Sequence, residues 1–163
     1  MSEHAPFDSA KYRQVLGHFP TGVTVITAAP RGEPVGLAVG SFSSVSLDPP
    51  LVAFFPDRSS SSWPKIEAAG AFCVNILGED QEDVCRRFAM KGDDKFAGLG
   101  WEAAAATGSP LLDGVIAWID CEIHSAVDAG DHYCVMGLVK ELDVTHDGPP
   151  LLFFRGGYGR FAI

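Results

Sequence analysis

Short apolar runs and period-two alternation set the rhythm of this chain. The opening DSAKYRQVLGHF places Tyr12, Val15, Leu16 and Phe19 at helical spacing behind Asp8 or Ser9, either of which can accept from the first free N–H groups. That spacing predicts an amphipathic helix. GVTVITA (22–28) and VGLAVGSF (35–42), rich in β-branched residues and separated by PRGEP, predict a hairpin. LVAFF (51–55) and FCVNIL (72–77) read as short buried strands, and SSSSWPKIEAAG between them as a short helix stopped by Gly70. Asp80 can cap a further helix with Val84 and Phe88 on its core face. After an irregular glycine-rich stretch, VIAWIDCEIHSAV (115–127) and HYCVMGLVKELDV (132–144) flank the four residues DAGD and make the clearest hairpin. LLFFRGGYGRF closes the chain with one more strand and a glycine-loosened tail. Mostly antiparallel strands with few helices predict a mainly β fold, a barrel with flanking helices rather than alternating β-α units.

Length and charge narrow the function. A chain of 163 residues with 47% apolar content suits one domain over 1–163, its first ten residues loosely ordered. A formal charge of -9 argues against nucleic acid and anionic membranes as partners, because a phosphate backbone is bound by a basic surface. MSEHAPFDS lacks a cationic stretch followed by an apolar core, and no apolar segment reaches the roughly 18 residues of a membrane span, so a soluble, cytoplasmic protein is expected. Cys73, Cys85, Cys121 and Cys134 are widely spaced, without a C-x-x-C pair or a nearby histidine couple. Packed, reduced thiols and no metal site follow.

The chemistry concentrates in SFSSVSLDPPLVAFFPDRSSSSW (41–63), where eight serines bracket one short strand. Serines cap helices and decorate turns in most proteins. A strand end and a helix start carrying them together also make a neutral anion cradle, since free N–H groups bind phosphate without lysine. Competing nucleotide motifs are missing. GLGWEA (98–103) has the spacing of a dinucleotide loop but follows DDKFA rather than a strand. The sequence has no Walker A lysine motif, nucleophile elbow or hydrolytic triad. A ligand with a phosphate and a large apolar body, carrying its own reactivity, fits this picture, and flavin answers that description.

Several segments in register then acquire a common meaning. PTGVTVITA, GLAVGSFSSVSLDPPLV, DRSSSSWPKI, FCVNILGEDQEDVCRRFA, DKFAG, the AGDH of the second hairpin and FFRGGYGRF resemble the flavin-reductase-like family of FMN-binding split barrels, from about residue 11 to the C-terminus. More narrowly, the chain resembles the small NAD(P)H:flavin oxidoreductase components of two-component flavin monooxygenases. The resemblance implies a six-stranded antiparallel split β-barrel, a homodimer, FMN or FAD as cofactor, and NADH or NADPH as reductant. It places Ser43, Ser44, Val45 and Ser46 beside the flavin ring and ribityl chain, with Asp48-Pro49-Pro50 fixing the following turn. Ser59, Ser60, Ser61 and Ser62 fall at the flavin phosphate, and Lys95 and Phe96 flank the flavin. Arg58 is left between the phosphate and solvent. His132 falls at the nicotinamide, with Tyr158 and Arg160 of the tail as further dinucleotide contacts. None of these acts as an acid or base, because hydride passes directly from nicotinamide to flavin. Reduced flavin would go to a partner monooxygenase. A flavin-binding electron carrier or sensor, or a related split-barrel oxidase or haem-handling protein, stays open as an alternative. Trp118, Ile119, Val135, Met136 and Leu138 exceed what one face of a lone barrel should expose, which again predicts a dimer.

Overall fold

Strand β2 shows how the fold is built, since all five of its residues are buried. Alternate side chains point to opposite faces of a strand, so Ile26 and Ala28 enter one apolar core while Val25 enters another on the other face. A computed structural model describes residues 7–92 and 94–162. Its elements run α1 (Ser9–Leu16), β1 (Thr21–Gly22), β2 (Thr24–Ala28), β3 (Val35–Val39), β4 (Phe42–Ser46), β5 (Leu51–Phe54), α2 (Trp63–Ala69), β6 (Ala71–Ile76), α3 (Glu82–Ala89), β7 (Trp101–Ala103), β8 (Pro110–Leu112), β9 (Ala117–Ala129), β10 (His132–Val144), β11 (Leu151–Phe154) and β12 (Gly157–Arg160).

The main sheet has seven strands in the order β3-β2-β6-β9-β10-β5-β4, all neighbours antiparallel. Its two edges, β3 and β4, are separated only by Gly40 and Ser41. Three Cα steps span at most roughly 11 Å. A sheet of this width can bring its edges that close only by curling on itself, and β3 and β4 still do not pair, which is a barrel with a split. One core lies inside the curl around Ile26, Phe54, Trp63, Phe72 and Val135. The other lies outside, where α3 brings Phe88 against Val25, Leu77 and Leu151.

The mainly β class and the hairpins follow the sequence pattern, while details differ. The main sheet holds seven strands where six were expected, because 35–42 is two strands. At Gly40 the chain passes so close to Thr21 that an added Cβ would stand 3.0 Å from its Oγ1, and the path breaks there. The central hairpin is longer than expected at its tip, leaving Gly130 and Asp131 as the turn. The tail is a hairpin rather than a loose end, turning on Arg155 and Gly156 with φ of 52° and 77°, as a two-residue turn between twisted strands requires. Gln81, not Asp80, stands before α3. The Asp48–Pro49 peptide is cis.

Asp8 caps α1, accepting from Lys11 N at 3.1 Å. The helix nevertheless buries no residue, and Tyr12, Val15, Leu16 and Phe19 are all more than half exposed. On the central hairpin the five residues expected to be exposed are covered, Val135 fully and Trp118, Ile119, Met136 and Leu138 partly, while Val127, Leu142 and Val144 are more than half exposed. Further large exposed apolar side chains sit on and beside α1, at Val45 and Leu47, and on the tail. Residues 1–6 of the expected loose N-terminus lie outside the described residues, and Ser9 and Ala10 are helical.

Candidate functional site

The second serine cluster forms a tight loop between β5 and α2. Asp57 Oδ1 accepts from Ser59 N at 2.7 Å and from Ser59 Oγ at 2.8 Å, and these two bonds, ahead of the nearby His132 ring, hold its carboxyl below the usual range. Ser60 Oγ accepts from Ser62 N and Trp63 N, so Ser60 does the capping that its position alone would assign to Ser62. Ser62 adopts helical φ/ψ and its hydroxyl turns instead to Lys95, whose Nζ donates to it at 3.4 Å. Ser61 is exposed, and its N–H and hydroxyl make no hydrogen bond among the described residues. Lys95 is nearly buried and also donates to Phe88 O and Gly36 O at 3.3 and 3.2 Å. A cleft of about 380 Å³ opens over Ser59–Ser62, Lys95 and Lys91, with Leu37 and Met90 at its sides. Phe96 packs edge-on between Phe88 and Trp101, at 5.0 and 6.2 Å, within the outer core.

The first cluster lies on β4, an edge of the main sheet paired on one side with β5. Ser43, Ser44 and Val45 are exposed, and a register shift between Ser44 and Ser46 bulges Val45 out of the ladder. An edge strand leaves N–H and C=O groups on its outer side unpaired, the donor and acceptor row that a flat heterocycle with carbonyls and ring nitrogens can use. Pro50 ends the turn after this strand and accepts from Val139 N at 2.9 Å. Hydroxyls and free edge groups on β4, with a serine-lysine cleft at α2, fit a flavin phosphate and ring.

His132 opens β10 and forms an isolated bridge with Asp57. Its Nδ1 lies 2.7 Å from Asp131 Oδ1 and its Nε2 4.0 Å from Asp57 Oδ2. The serine loop and His132 therefore meet on one carboxylate. A cleft of about 660 Å³ beside them is walled by Tyr12 and Arg13 of α1, Phe55, Asp57, Asp131 and His132. Neither Tyr12 nor Arg13 was a candidate site residue from the sequence, and only the exposed setting of α1 brings them to this cleft.

Tyr158 and Arg160 are not brought to His132 within one chain. Tyr158 OH lies 3.3 Å from Cys85 Sγ, under the Arg86 guanidinium at 4.8 Å, and the Cys85 contact and burial push its hydroxyl up to about 12. Arg160 Nε stands 4.0 Å from Glu79 Oε2 beside a separate small cleft. Arg58 is exposed, its side chain 39% accessible, and turns to the hairpin tip, pairing with Asp128 at 2.7 Å. Among the described residues there is no cluster that could hold a metal ion. Cys73, Cys85 and Cys121 are buried and Cys134 partly so, all as free thiols. Burial pushes the Cys121 thiol up to about 12.

The serine-lysine cleft and the histidine beside it offer, on a split barrel, groups that can bind and orient a small molecule carrying its own reactivity. Residues 16–162 match the flavin reductase like domain family, and the chain belongs to it. It is 59% identical over 156 residues to a flavin reductase of Pseudomonas putida, covering 95% of this chain and 91% of that one. The reductase subunit HsaB of a flavin-dependent monooxygenase from Rhodococcus jostii is 48% identical over 151 residues, covering 93% and 77%. Among solved structures, nitrilotriacetate monooxygenase component B from Mycobacterium thermoresistibile superposes with a TM-score of 0.90 at 49% identity, covering 94% of this chain and 86% of that one. The NADH:FAD oxidoreductase SgcE6 of Streptomyces globisporus, in complex with NAD and FAD fragments, gives 0.90 at 36% identity, covering 95% and 93%.

Proposed function

We propose that this chain, acting as one domain in a homodimer, reduces FMN or FAD with NADH or NADPH and supplies the reduced flavin to a partner monooxygenase. The observation that carries the reading is the shared carboxylate of Asp57, which bonds Ser59 on one side and faces His132 on the other. Flavin, when bound, supplies the acceptor for a two-electron transfer. The chain's own part is to hold two flat rings in register. Ser59–Ser62 and Lys95 take the phosphate, and Ser43–Ser46 with Pro50 bound the ring side. Phe96 stiffens the Lys95 segment from below. His132 orients the nicotinamide, while the cleft along Tyr12 and Arg13 accommodates the rest of the dinucleotide. Tyr158 and Arg160, which lie away from His132 within one chain, would reach that substrate only as tail contacts from the other protomer of the dimer. Direct transfer between stacked rings needs near-attack geometry rather than an acid or base, which suits a site offering hydroxyls, amides and one imidazole. No helix among the described residues is long and apolar enough to cross a membrane. We place the activity in the cytoplasm, where its reductant is made.

Steady-state oxidation of NADH and NADPH with added FMN or FAD tests the reading. Turnover that depends on added flavin is expected. Flavin binding without nicotinamide oxidation would make the protein a carrier, and failure to bind either flavin would overturn the site altogether.

A further inference from the structure

The central hairpin reaches well beyond the sheet that supports it. Pairing of β9 with β6 ends at Glu122, and pairing of β10 with β5 begins only at Val135. One further bond, from Ile123 N to Gly70 O, extends support on the β9 side. From about His124 to Cys134 the hairpin is a two-stranded ribbon, and an isolated pair of strands is marginally stable in water. Whatever fixes this ribbon fixes His132, which sits at its tip.

The loop 56–58 does so, largely through Arg58. Its Nε donates to Gly130 O at 2.6 Å, its Nη2 pairs with Asp128 Oδ1 at 2.7 Å, and its backbone N–H donates to Asp131 O at 2.9 Å. Its guanidinium carbon also lies 4.5 Å from the centre of the Tyr133 ring. One side chain thus grips the turn and both strands that enter it. Tyr133 N donates to Pro56 O at 3.0 Å, so the strand after the turn is tied to the same loop. A single exposed ion pair would contribute little. The planar fork of a guanidinium, by contrast, can serve a carbonyl, a carboxylate and an aromatic face at once, which an ammonium cannot.

We propose that Arg58 is the positioning residue that locks the hairpin tip, and through it His132, against the serine loop. This rests on the assignment of His132 to the nicotinamide site. Arg58 touches no reacting group; it sets the distance between the place where the flavin phosphate is held and the place where nicotinamide is oriented. Loosening it leaves flavin held but lets the imidazole wander, so the loss falls on use of the nicotinamide substrate.

The experiment compares Arg58→Ala, Arg58→Lys, His132→Ala and the Arg58→Ala/His132→Ala double variant, each measured for flavin affinity and for NADH oxidation at saturating flavin. Arg58→Ala is expected to lower kcat/KM for NADH about 10-fold, in line with positioning effects, with flavin affinity within about twofold of the parent and Arg58→Lys in between. The double variant should fall no further than His132→Ala alone, because residues acting in series are not additive. Full additivity would mean that Arg58 does not act through His132. Unchanged NADH kinetics in Arg58→Ala beside a damaged His132→Ala would overturn the positioning role while leaving the nicotinamide assignment intact. Unchanged kinetics in His132→Ala would overturn that assignment and this inference with it. Loss of flavin affinity matching the loss in NADH efficiency would make Arg58 part of the flavin cradle instead. If Arg58→Ala does not fold, Asp128→Asn removes one partner of the grip and carries the same comparison with a smaller expected loss.

Discussion

Lys95 is a cation held almost out of water by two backbone carbonyls and a serine hydroxyl, at the floor of the cleft assigned to the flavin phosphate. Hydrogen bonds to charged groups contribute about 1.5–3 kcal/mol, so Lys95→Met should weaken flavin binding on the order of 10- to 100-fold. It should also lower the melting temperature, because Gly36 O and Phe88 O lose their charged donor. Flavin fluorescence quenching and a thermal melt read the two effects separately; full affinity in a folded variant would remove Lys95 from the cradle. Asp120 is the other informative buried charge. Burial raises its carboxyl above the ordinary 3.8, against hydrogen bonds from Thr107 Oγ1 at 2.6 Å and Thr107 N at 3.1 Å that lower it. Between 3.8 and that raised value the folded chain keeps a proton that the unfolded chain releases. The stability Asp120 adds is therefore complete below that window and lost as pH rises through it. Asp120→Asn should flatten this decline in urea midpoints followed upward from pH 3.8; an unchanged slope would show that another group causes it. Much at this scale was legible: the serines, Lys95 and His132 stand in short motifs whose chemistry can be read along the chain. Arg58 was not, since its partners lie some 70 positions away and become neighbours only when the hairpin folds back.

The β10 ladder slips between Met136 and Gly137, where the strand presses hard on the inner core. A Cβ at Gly137 would lie 2.4 Å from Phe72 Cζ and 3.0 Å from Cys121 Cβ. Phe72 is fully buried and has nowhere to go. Overpacking of this kind costs about 1–3 kcal/mol, so Gly137→Ala should lower the unfolding free energy from a denaturant titration by that amount, and a variant as stable as the parent would mean that the strand can yield. The elements themselves were readable because period-two and period-3.6 patterns are local. Strand ends were less so: Gly40 splits one apolar run into β3 and β4 because of a close approach to Thr21, which is absent from any local pattern. For α1 the local pattern predicts the apolar stripe but not what it packs against. Its apolar stripe is real, but nothing among the described residues of the chain covers it.

For the whole molecule that stripe has a direct implication. Phe7, Tyr12, Val15, Leu16 and Phe19 leave a run of large apolar side chains in water, with Phe19 70% exposed. Contiguous patches of this kind mark association surfaces. Light scattering at micromolar concentration should report a dimer, and Leu16→Glu should shift it toward monomer; a parent protein that is monomeric and fully active would refute the assembly. The barrel class was legible from the abundance of antiparallel strands. The way it closes was not, because strand order is a long-range property: β3 and β4 are neighbours in sequence and opposite edges in space.

That arrangement has a consequence for how the protein is made. The first half of the chain builds two pieces, β3-β2-β6 and β4-β5, which share no ladder with each other. Only β9 and β10 join them, one pairing with β6 and the other with β5. As the chain leaves the ribosome, its early strands must therefore wait with open edges for a hairpin that emerges only after them, and unpaired edges are where aggregation starts. A nascent chain stalled before residue 117 should stay protease-sensitive however long it is held, and protection should arrive in a single step once residue 144 has cleared the exit tunnel.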